Sequence, residues 1–587
     1  MTGPPVYPLT SLSPQHLLVL KEATDLRLRN IIGANITSRY ASSSSELAEF
    51  RLAIVDKDVT EDSSVLADFR RLVPLTDYEP HHPWMSKLIE RPCRFSEVEN
   101  LLAPGLPSFI GVSSSTSGSK PKHFARYKAG SKGCGRSVDD LIGSDQMTGT
   151  TAFVFTLSYR DVLDVTTDAG EVVQKIPICI ASSGFIRNTE GWSIETDNTR
   201  MASRAPDHAA PWATGFITHH KYFLMMHALF ALADPKVERI GMTFVTIFID
   251  MLFCIQEEWD VLVSSIRDGV IPAIEHIDHV RDYLQVSYFF TCADPQRAEE
   301  LRSIGPSFSC PAWAPRVWPN LNAVLFICSG TFAITLPMAK SVIGPKAIIT
   351  SPGYGCTECI LATLLNPEDP DTFVINTNDA VEYLDVADGQ AHRNILQGWD
   401  LQSGKLYQPV VTTRDGLWRY LIDDVLHVIG FDPRNGSPVF KYHGRLSLAI
   451  RLPYAAITEV DLQKVTQAIT KENVHVQEFT TVVDRRELPE TVGFILEITG
   501  DIGLGAISAR QKAFEALVMT NDEHQSAFDT GRLRLPTIRI VKHGTFADYR
   551  RWQGEKLNVG VGQIKVPVVM TNPNSYEWLA ERVVREL

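Results

Sequence analysis

Basic residues never gather into a block along this 587-residue chain, and acids outnumber bases, 69 to 56, for a formal charge of −13. Phosphate backbones recruit clusters of Lys and Arg, so nucleic acid is not expected as a partner. A mononucleotide needs only a few local cations and stays open. Cysteine is sparse: nine residues, odd in number and scattered. That pattern excludes a disulfide framework and suits a reducing compartment. Cys356 and Cys359 form a CxxC, but no second pair stands at zinc-finger spacing, so neither a structural zinc nor a redox pair is expected. His81-His82 and His219-His220 lack a Cys or carboxylate at ligand spacing. Long hydrophobic runs are missing too. The most apolar stretch, IGMTFVTIFIDMLFCI (Ile240 to Ile255), falls short of the ~20 residues that span a bilayer, and Asp250 interrupts it. It reads as a buried helix running on into QEEWDVLVSSIRDG, and membrane insertion is not expected. MTGPPVYPLTSLSP has no basic start followed by an apolar run, so no secretory signal is expected and a cytoplasmic location is. No internal repeat is present.

What is there is a large soluble α/β chain, 44% hydrophobic and 21% charged. A prior of ~150 residues per domain suggests several units, or one large domain with a smaller one attached. Residues 15–110 read as largely helical, with a short proline-bracketed helix in LTDYEPHHPWMSKLIE. TAFVFTLSY, KIPICIASS, NAVLFICSG and KAIITSPG read as strands, the last two as buried parallel ones. KYFLMMHALFALADP reads as a helix, and VVTTRDGLWRYLIDDVLHVIGFD as two strands around a turn. Pro, Asn, Gly and Ser at DPRNGSPVF, residues 432–440, suggest a hinge. FTTVVD, GFILEITG, AISARQKAFEALVMT and TIRIVKH beyond it suffice for a second α/β unit of about 150 residues. The expected division is 1–436, with mixed β-sheets and flanking helices, and 437–587.

Five stretches carry chemistry. SSSTSGSKPK, Ser113 to Lys122, is ambiguous alone: Ser- and Gly-rich linkers are common, and the GxxxxGK[ST] pattern is missing. It follows a strand-like run, PSFIGV, and packs hydroxyls, the Gly118 backbone and Lys122 into a short space, as an anion-binding turn requires. YGCTE, Tyr354 to Glu358, offers an aromatic face for a purine, the Thr357 hydroxyl for a phosphate and the Glu358 carboxylate for magnesium. The plain alternative is a glycine-rich turn with a buried Tyr. Asp423 and Asp424 precede the strand-like VLHVIGF, where a carboxylate can accept both hydroxyls of a ribose; a surface acidic turn is the plain alternative. HGRLSLAIRL, His443 to Leu452, follows the expected hinge. GQIKVP carries Lys565, which by itself reads as a solvated lysine.

In order and spacing these stretches resemble the adenylate-forming superfamily of acyl-CoA ligases, peptide-synthetase adenylation domains and luciferases. The closer resemblance, nearly end to end, is to the auxin-responsive acyl-acid amido synthetases, the Gretchen Hagen 3 family. FRRLVPLTDYEPHHPWMSKLIE (Phe69 to Glu90) resembles their segment before the phosphate loop, and SSSTSGS their SSGTSGG. RVWPNLNAVLFICSG (Arg316 to Gly330) resembles their Trp-Pro strand entry, and LWRYLIDDV their YRxGD signature. HGTF (His543 to Phe546) and GQIKVP (Gly562 to Pro567) resemble their C-terminal motifs.

The resemblance implies a large N-terminal adenylate-forming domain, a smaller mobile C-terminal lid, and use of ATP and Mg2+. It implies that a small-molecule carboxylic acid is activated as an acyl adenylate and then transferred to an amine, an amino acid above all. By motif, Ser114, Thr116, Ser117 and Gly118 would hold phosphates and Lys122 would reach the β- and γ-phosphates. Tyr354 would pack on adenine, Thr357 would contact the α-phosphate, and Glu358 would hold the metal. Asp424 would bind the ribose hydroxyls, and Arg445 would contact ribose or phosphate on closure. Lys565 would enter with the lid and stabilise the adenylation transition state. Lys565, Lys122 and Glu358 are thus the expected catalytic residues. A monomer is the working expectation.

Ser115 and Ser119 stand where glycine is usual, and Asp423 replaces the glycine before Asp424; glycine at such sites permits positive φ and close approach. Residues 128–215 resemble the family poorly, so the acyl substrate is not carried over. Two alternatives stay open: transfer of the adenylate to a thiol of CoA or a carrier, and a non-catalytic nucleotide- or ligand-binding homologue.

Overall fold

The computed structural model describes residues 4–113, 121–127, 149–203, 207–286, 293–446, 449–453, 456–471, 474–500, 508–557 and 564–587. The first element, the helix Pro14–Asn35, begins at a proline whose missing N–H costs nothing in the first turn, and Ser13 accepts the His16 N–H there at 3.2 Å. Its inner residues Leu28, Ile31 and Ile32 pack at helical spacing into a core shared with the central sheet.

Four parallel strands form one sheet in the order Thr150–Val154, Val237–Phe244, Ala323–Ile327, Ile348–Thr350. The helices His220–Ala233 and Val245–Glu257 cover it. The run Ile240 to Ile255 is therefore not one helix. Its first five residues complete the second strand, and the helix starts at Val245. A central parallel strand is buried on both faces and reads as an unbroken apolar run, as a buried helix does, so periodicity cannot separate them.

The chain then enters a nine-stranded sheet at Tyr354–Gly355. The strands Asp424–Phe431 and Pro438–Arg445 pair antiparallel within it, with Asp424 opposite Arg445. Residues 432–437, expected as a hinge, are the hairpin turn between these two strands: the Asp432 N–H donates to the Ser437 carbonyl at 2.8 Å, and Gly436 takes φ 76°. The chain leaves the sheet only after Arg445. Arg419 braces the sheet from within. Its guanidinium forks onto both Glu382 oxygens at 2.8 Å and donates to the Arg70 and Val73 carbonyls, all with Arg419 at 1% exposure and φ 44°.

A five-stranded sheet carries the hairpin Phe109–Val112/His123–Arg126. The C-terminal unit is a four-stranded sheet, Val476–Asp484, Thr491–Ile498, Thr537–Val541 and Val583–Glu586. Along Thr491–Ile498, Val492, Phe494 and Leu496 face one helical layer while Ile495 faces the other, the two-residue alternation of a sheet covered on both sides.

Candidate active site

Three loops at the C-terminal ends of the parallel strands meet at one place, which is where open α/β sheets bind ligands. The second strand ends at Phe244. The third runs into the turn Gly330–Ile334, carrying Phe332. The fourth, Ile348–Thr350, leads into YGCTE. Phe244 and Phe332 stack with centroids 4.6 Å apart, 18° from parallel. Gly330 adopts φ 62°, and a Cβ there would stand 2.8 Å from the Tyr442 ring, so this turn is pressed against the strand Pro438–Arg445.

From the other side come Tyr354, Asp424 and Arg445. Register places Asp424 beside Arg445, whose Nε donates to Oδ1 at 2.7 Å. The Tyr354 hydroxyl donates to Oδ2 at 2.6 Å. The Tyr354 ring packs among Phe373, Phe440 and Tyr442. Burial and then the Asp424 carboxylate hold its phenol far above the ordinary range. Asp424 chiefly raises the Arg445 guanidinium further. Glu459, first residue of the helix Glu459–Lys471, is buried behind Arg445, and burial lifts its carboxyl to about 7.

Thr357 and Glu358 sit in a tight turn closed by the Cys356 N–H donating to the Cys359 carbonyl at 2.8 Å. The Glu358 carbonyl accepts from buried Arg126, itself paired with Asp415. A Cβ on Gly111 would lie 3.2 Å from the Thr357 methyl, so the turn rests on the strand that enters the Ser-rich loop. The Cys356 and Cys359 thiols lie 4.0 Å apart, both free and both raised: Cys359 largely by its thiol partner and by burial, Cys356 by burial against that partner.

The Ser-rich stretch is the connection of a hairpin. Ser113 and Lys122 close its base with a mutual backbone bond of 2.9 Å and a further 2.9 Å bond from the Lys122 N–H to the Ser113 hydroxyl. It joins two paired strands of one sheet, so it does not link domains. Ser114, Thr116, Ser117 and Gly118 lie outside the described residues. The Lys122 ammonium stands 5.4 Å from the Tyr78 ring centre.

Lys565 reaches the same place from the C-terminal unit. Its ammonium lies 4.6 Å from the Phe244 ring centre and 5.5 Å from that of Phe332. Burial first, and then the Arg445 charge, lower it to about 8. Two further contacts, Arg550 to Asp250 and Thr335 to Gln477, hold the unit there, and Glu478 braces Arg550 from within the unit. Arg550, on the helix Thr545–Leu557, donates to both Asp250 oxygens at 2.7 and 2.6 Å. It also donates to Glu478 at 2.6 Å. The Thr335 hydroxyl donates to the Gln477 carbonyl at 3.1 Å. Burial lifts Glu478 to about 7 against the pull of Arg550. Phe244, Phe332, Glu459, Glu478 and Arg550 carried no motif signal. Asp250 had one, an acid inside an apolar run, without an indication of its partner.

Among the described residues no cluster of three or more His, Cys, Asp or Glu side chains could hold a metal, and no helix is long and apolar enough to cross a membrane. The Glu358 carboxylate makes no ion pair or hydrogen bond among the described residues, and one free carboxylate beside bound phosphates is the usual protein share of a magnesium site.

The models for the GH3 family N-terminal, central and C-terminal domains match residues 55–348, 373–445 and 460–574. The indole-3-acetic acid-amido synthetase GH3.15 of Arabidopsis thaliana is 26% identical over 60% of this chain and 62% of its own length. The 4-substituted benzoates-glutamate ligase GH3.12 of the same plant is 22% identical over 96% of this chain and 95% of its own. The chain thus spans under two thirds of the first relative but nearly all of the second. The solved structure of the GH3.15 acyl acid amido synthetase superposes with a TM-score of 0.76 at 20% identity, covering 99% and 98% of the two chains, a likeness of fold. The family models run in order through nearly the whole described architecture, from the N-terminal helices to the C-terminal sheet. The chain belongs to the GH3 family.

Proposed function

We propose that the protein is an acyl-acid amido synthetase, forming an acyl adenylate from ATP and a carboxylic acid and then an amide with an amine, an amino acid above all. The observation that carries this is the arrival of Lys565, from the C-terminal unit, beside Asp424, Arg445 and YGCTE at the ends of the parallel strands. Family membership supports it. The names of two relatives suggest the substrate classes: indole-3-acetic acid for one, 4-substituted benzoates and glutamate for another. An aryl or indolyl acid is therefore the proposed class of acid. We place the boundary of the two units after Arg445, where the chain leaves the nine-stranded sheet.

The mechanism is positioning and charge neutralisation. A carboxylate oxygen attacks the α-phosphorus and pyrophosphate leaves; the amine then attacks the acyl carbon, loses a proton, and AMP leaves. Attack of an anion on a polyanion is repulsive, so cations must already be in place. Asp424 would accept the ribose hydroxyls while keeping Arg445 and Tyr354 oriented. Tyr354 would pack on adenine, and Thr357 would contact the α-phosphate. Lys565, a cation below pH about 8, would face the developing charge there. Ser114, Thr116, Ser117, Gly118 and Lys122 would bind the remaining phosphates from the hairpin connection. Glu358 would hold Mg2+, which when bound neutralises phosphate charge.

Carboxylate-dependent exchange of pyrophosphate into ATP, run over aryl, indolyl and fatty acids, tests the reading. Exchange with one acid, lost in Lys565→Ala and Glu358→Ala, followed by an amide when amino acids are added, is the expected result. AMP release that requires CoA would make it a thioester-forming enzyme instead. ATP binding without exchange would make it a ligand-binding homologue.

A further inference from the structure

The geometry points to Arg550 as a positioning residue: clasped by Asp250 and Glu478, it seats the C-terminal unit so that Lys565 serves the adenylation half-reaction and not the amide-forming one. The inference rests on the proposed activity. Asp250 lies on the helix Val245–Glu257, which begins immediately after Phe244, the residue under the Lys565 ammonium. Arg550 therefore grips the helix that follows directly from the strand residue on which Lys565 comes to rest. The grip reaches Lys565 through the C-terminal sheet. Glu478 stands on the strand Val476–Asp484, whose Thr480 hydroxyl donates to the Pro567 carbonyl at 2.6 Å and whose Thr481 N–H donates to the Val568 carbonyl at 2.8 Å. Those bonds anchor the segment that carries Lys565. The helix bearing Arg550 is itself fixed, because Glu497 accepts the Gly544 and Phe546 N–H groups at 2.8 and 2.9 Å at its N-terminal turn.

The clasp also explains why the second half-reaction should not need it. Arg550, Glu478 and Lys565 share with Thr246, Phe332 and Thr335 a cavity of about 20 Å3. That is room for about one water molecule, not for an amino acid. While the clasp holds, the amine has no way in through this cleft.

Arg550→Ala and Arg550→Lys are to be measured in two assays. One is ATP–pyrophosphate exchange with the accepted acid; the other is amide formation from the synthetic acyl adenylate, which bypasses the first step. Misplacing a catalytic group by about 1 Å costs on the order of 10²-fold. Arg550→Ala should therefore lose about 10²-fold in exchange kcat, while amide formation from the supplied adenylate stays within about threefold of the wild type. Arg550→Lys, which keeps the charge and cannot fork, should fall between. Circular dichroism melts identify any variant that fails to fold, in which case Arg550→Lys carries the comparison. Unchanged exchange in a folded Arg550 variant, or equal loss in both assays, overturns the inference. Absence of exchange in the wild type would overturn the functional reading itself.

Discussion

Asp250 and Arg550, 300 positions apart, meet through two N–H···O bonds in the protein interior, Asp250 at 5% and Arg550 at 4% exposure. Removing one partner of such a pair leaves a buried charge, which costs about 3–5 kcal/mol, whereas replacing both with apolar groups of similar volume is often neutral. Asp250→Ala should lower the melting temperature, and because Glu478 shares the same guanidinium, the triple replacement Asp250→Leu/Glu478→Leu/Arg550→Met should restore most of the loss. Equal destabilisation by the single and the triple replacement would contradict this account.

The nucleotide site proposed above is proton-linked through Lys565. Its ammonium falls from 10.5 to about 8 through burial and the Arg445 charge. The sign follows from which state holds more protons. Between about 8 and 10.5 the unfolded chain keeps the proton that the folded one has lost, so this group's opposition to the fold is present below about 8 and is relieved as pH rises through that window. Phosphates placed beside it favour the charged form, so ATP should bind with proton uptake near pH 8. Calorimetry in buffers of different ionisation enthalpy reads that uptake directly, and Lys565→Ala should abolish it.

Asp424 holds two partners at once, and its loss frees both. Asp424→Ala should raise the ATP dissociation constant by about 10- to 100-fold, the worth of a hydrogen bond to a charged group. Equilibrium binding of a non-hydrolysable ATP analogue measures it; an unchanged affinity would take Asp424 out of the nucleotide site.

Gly111 is a steric test of the YGCTE turn. A methyl there comes to 3.2 Å from the Thr357 methyl, a distance at which one side must yield. Gly111→Ala should raise the KM for ATP several-fold with little change in melting temperature. Gly111→Val should do so more strongly.

Arg419 makes four hydrogen bonds from full burial. Arg419→Ala leaves Glu382 buried without its counter-charge, only the Gln397 amide still donating to it, and a loss of about 3–5 kcal/mol follows. The nucleotide site lies on other strands, so at low temperature ATP affinity should change far less than stability.

The fold class was legible in the sequence, and so was part of what gathers at the candidate site. Tyr354, Asp424, Arg445 and Lys565 each stood in a short pattern whose residue types suit nucleotide chemistry, and the fold draws those four together. The apolar strands of the parallel sheet and the helix His220–Ala233 were also legible, because buried elements keep long apolar runs. The boundary at Phe244 was not, since strand and helix are equally apolar there. The turn at 432–437 has the composition of a hinge because hairpin turns and hinges both need residues that tolerate unusual backbone angles. Arg550 was invisible because its meaning lies in a partner 300 residues away. No local pattern encodes a contact of that range.

The seating of the C-terminal unit has a mechanical consequence. Asp250 lies on the helix Val245–Glu257 and Phe244 is the strand residue immediately before it, so the Arg550 and Lys565 contacts fall at two points along one rod. The Phe253–His543 ring contact falls on the same helix, and a body held along one rod keeps one freedom, rotation about that line. The bond from Thr335 to the Gln477 carbonyl, off the rod, arrests that rotation. The unit rests like a tripod stage, and whichever foot lifts first selects the axis along which it swings open.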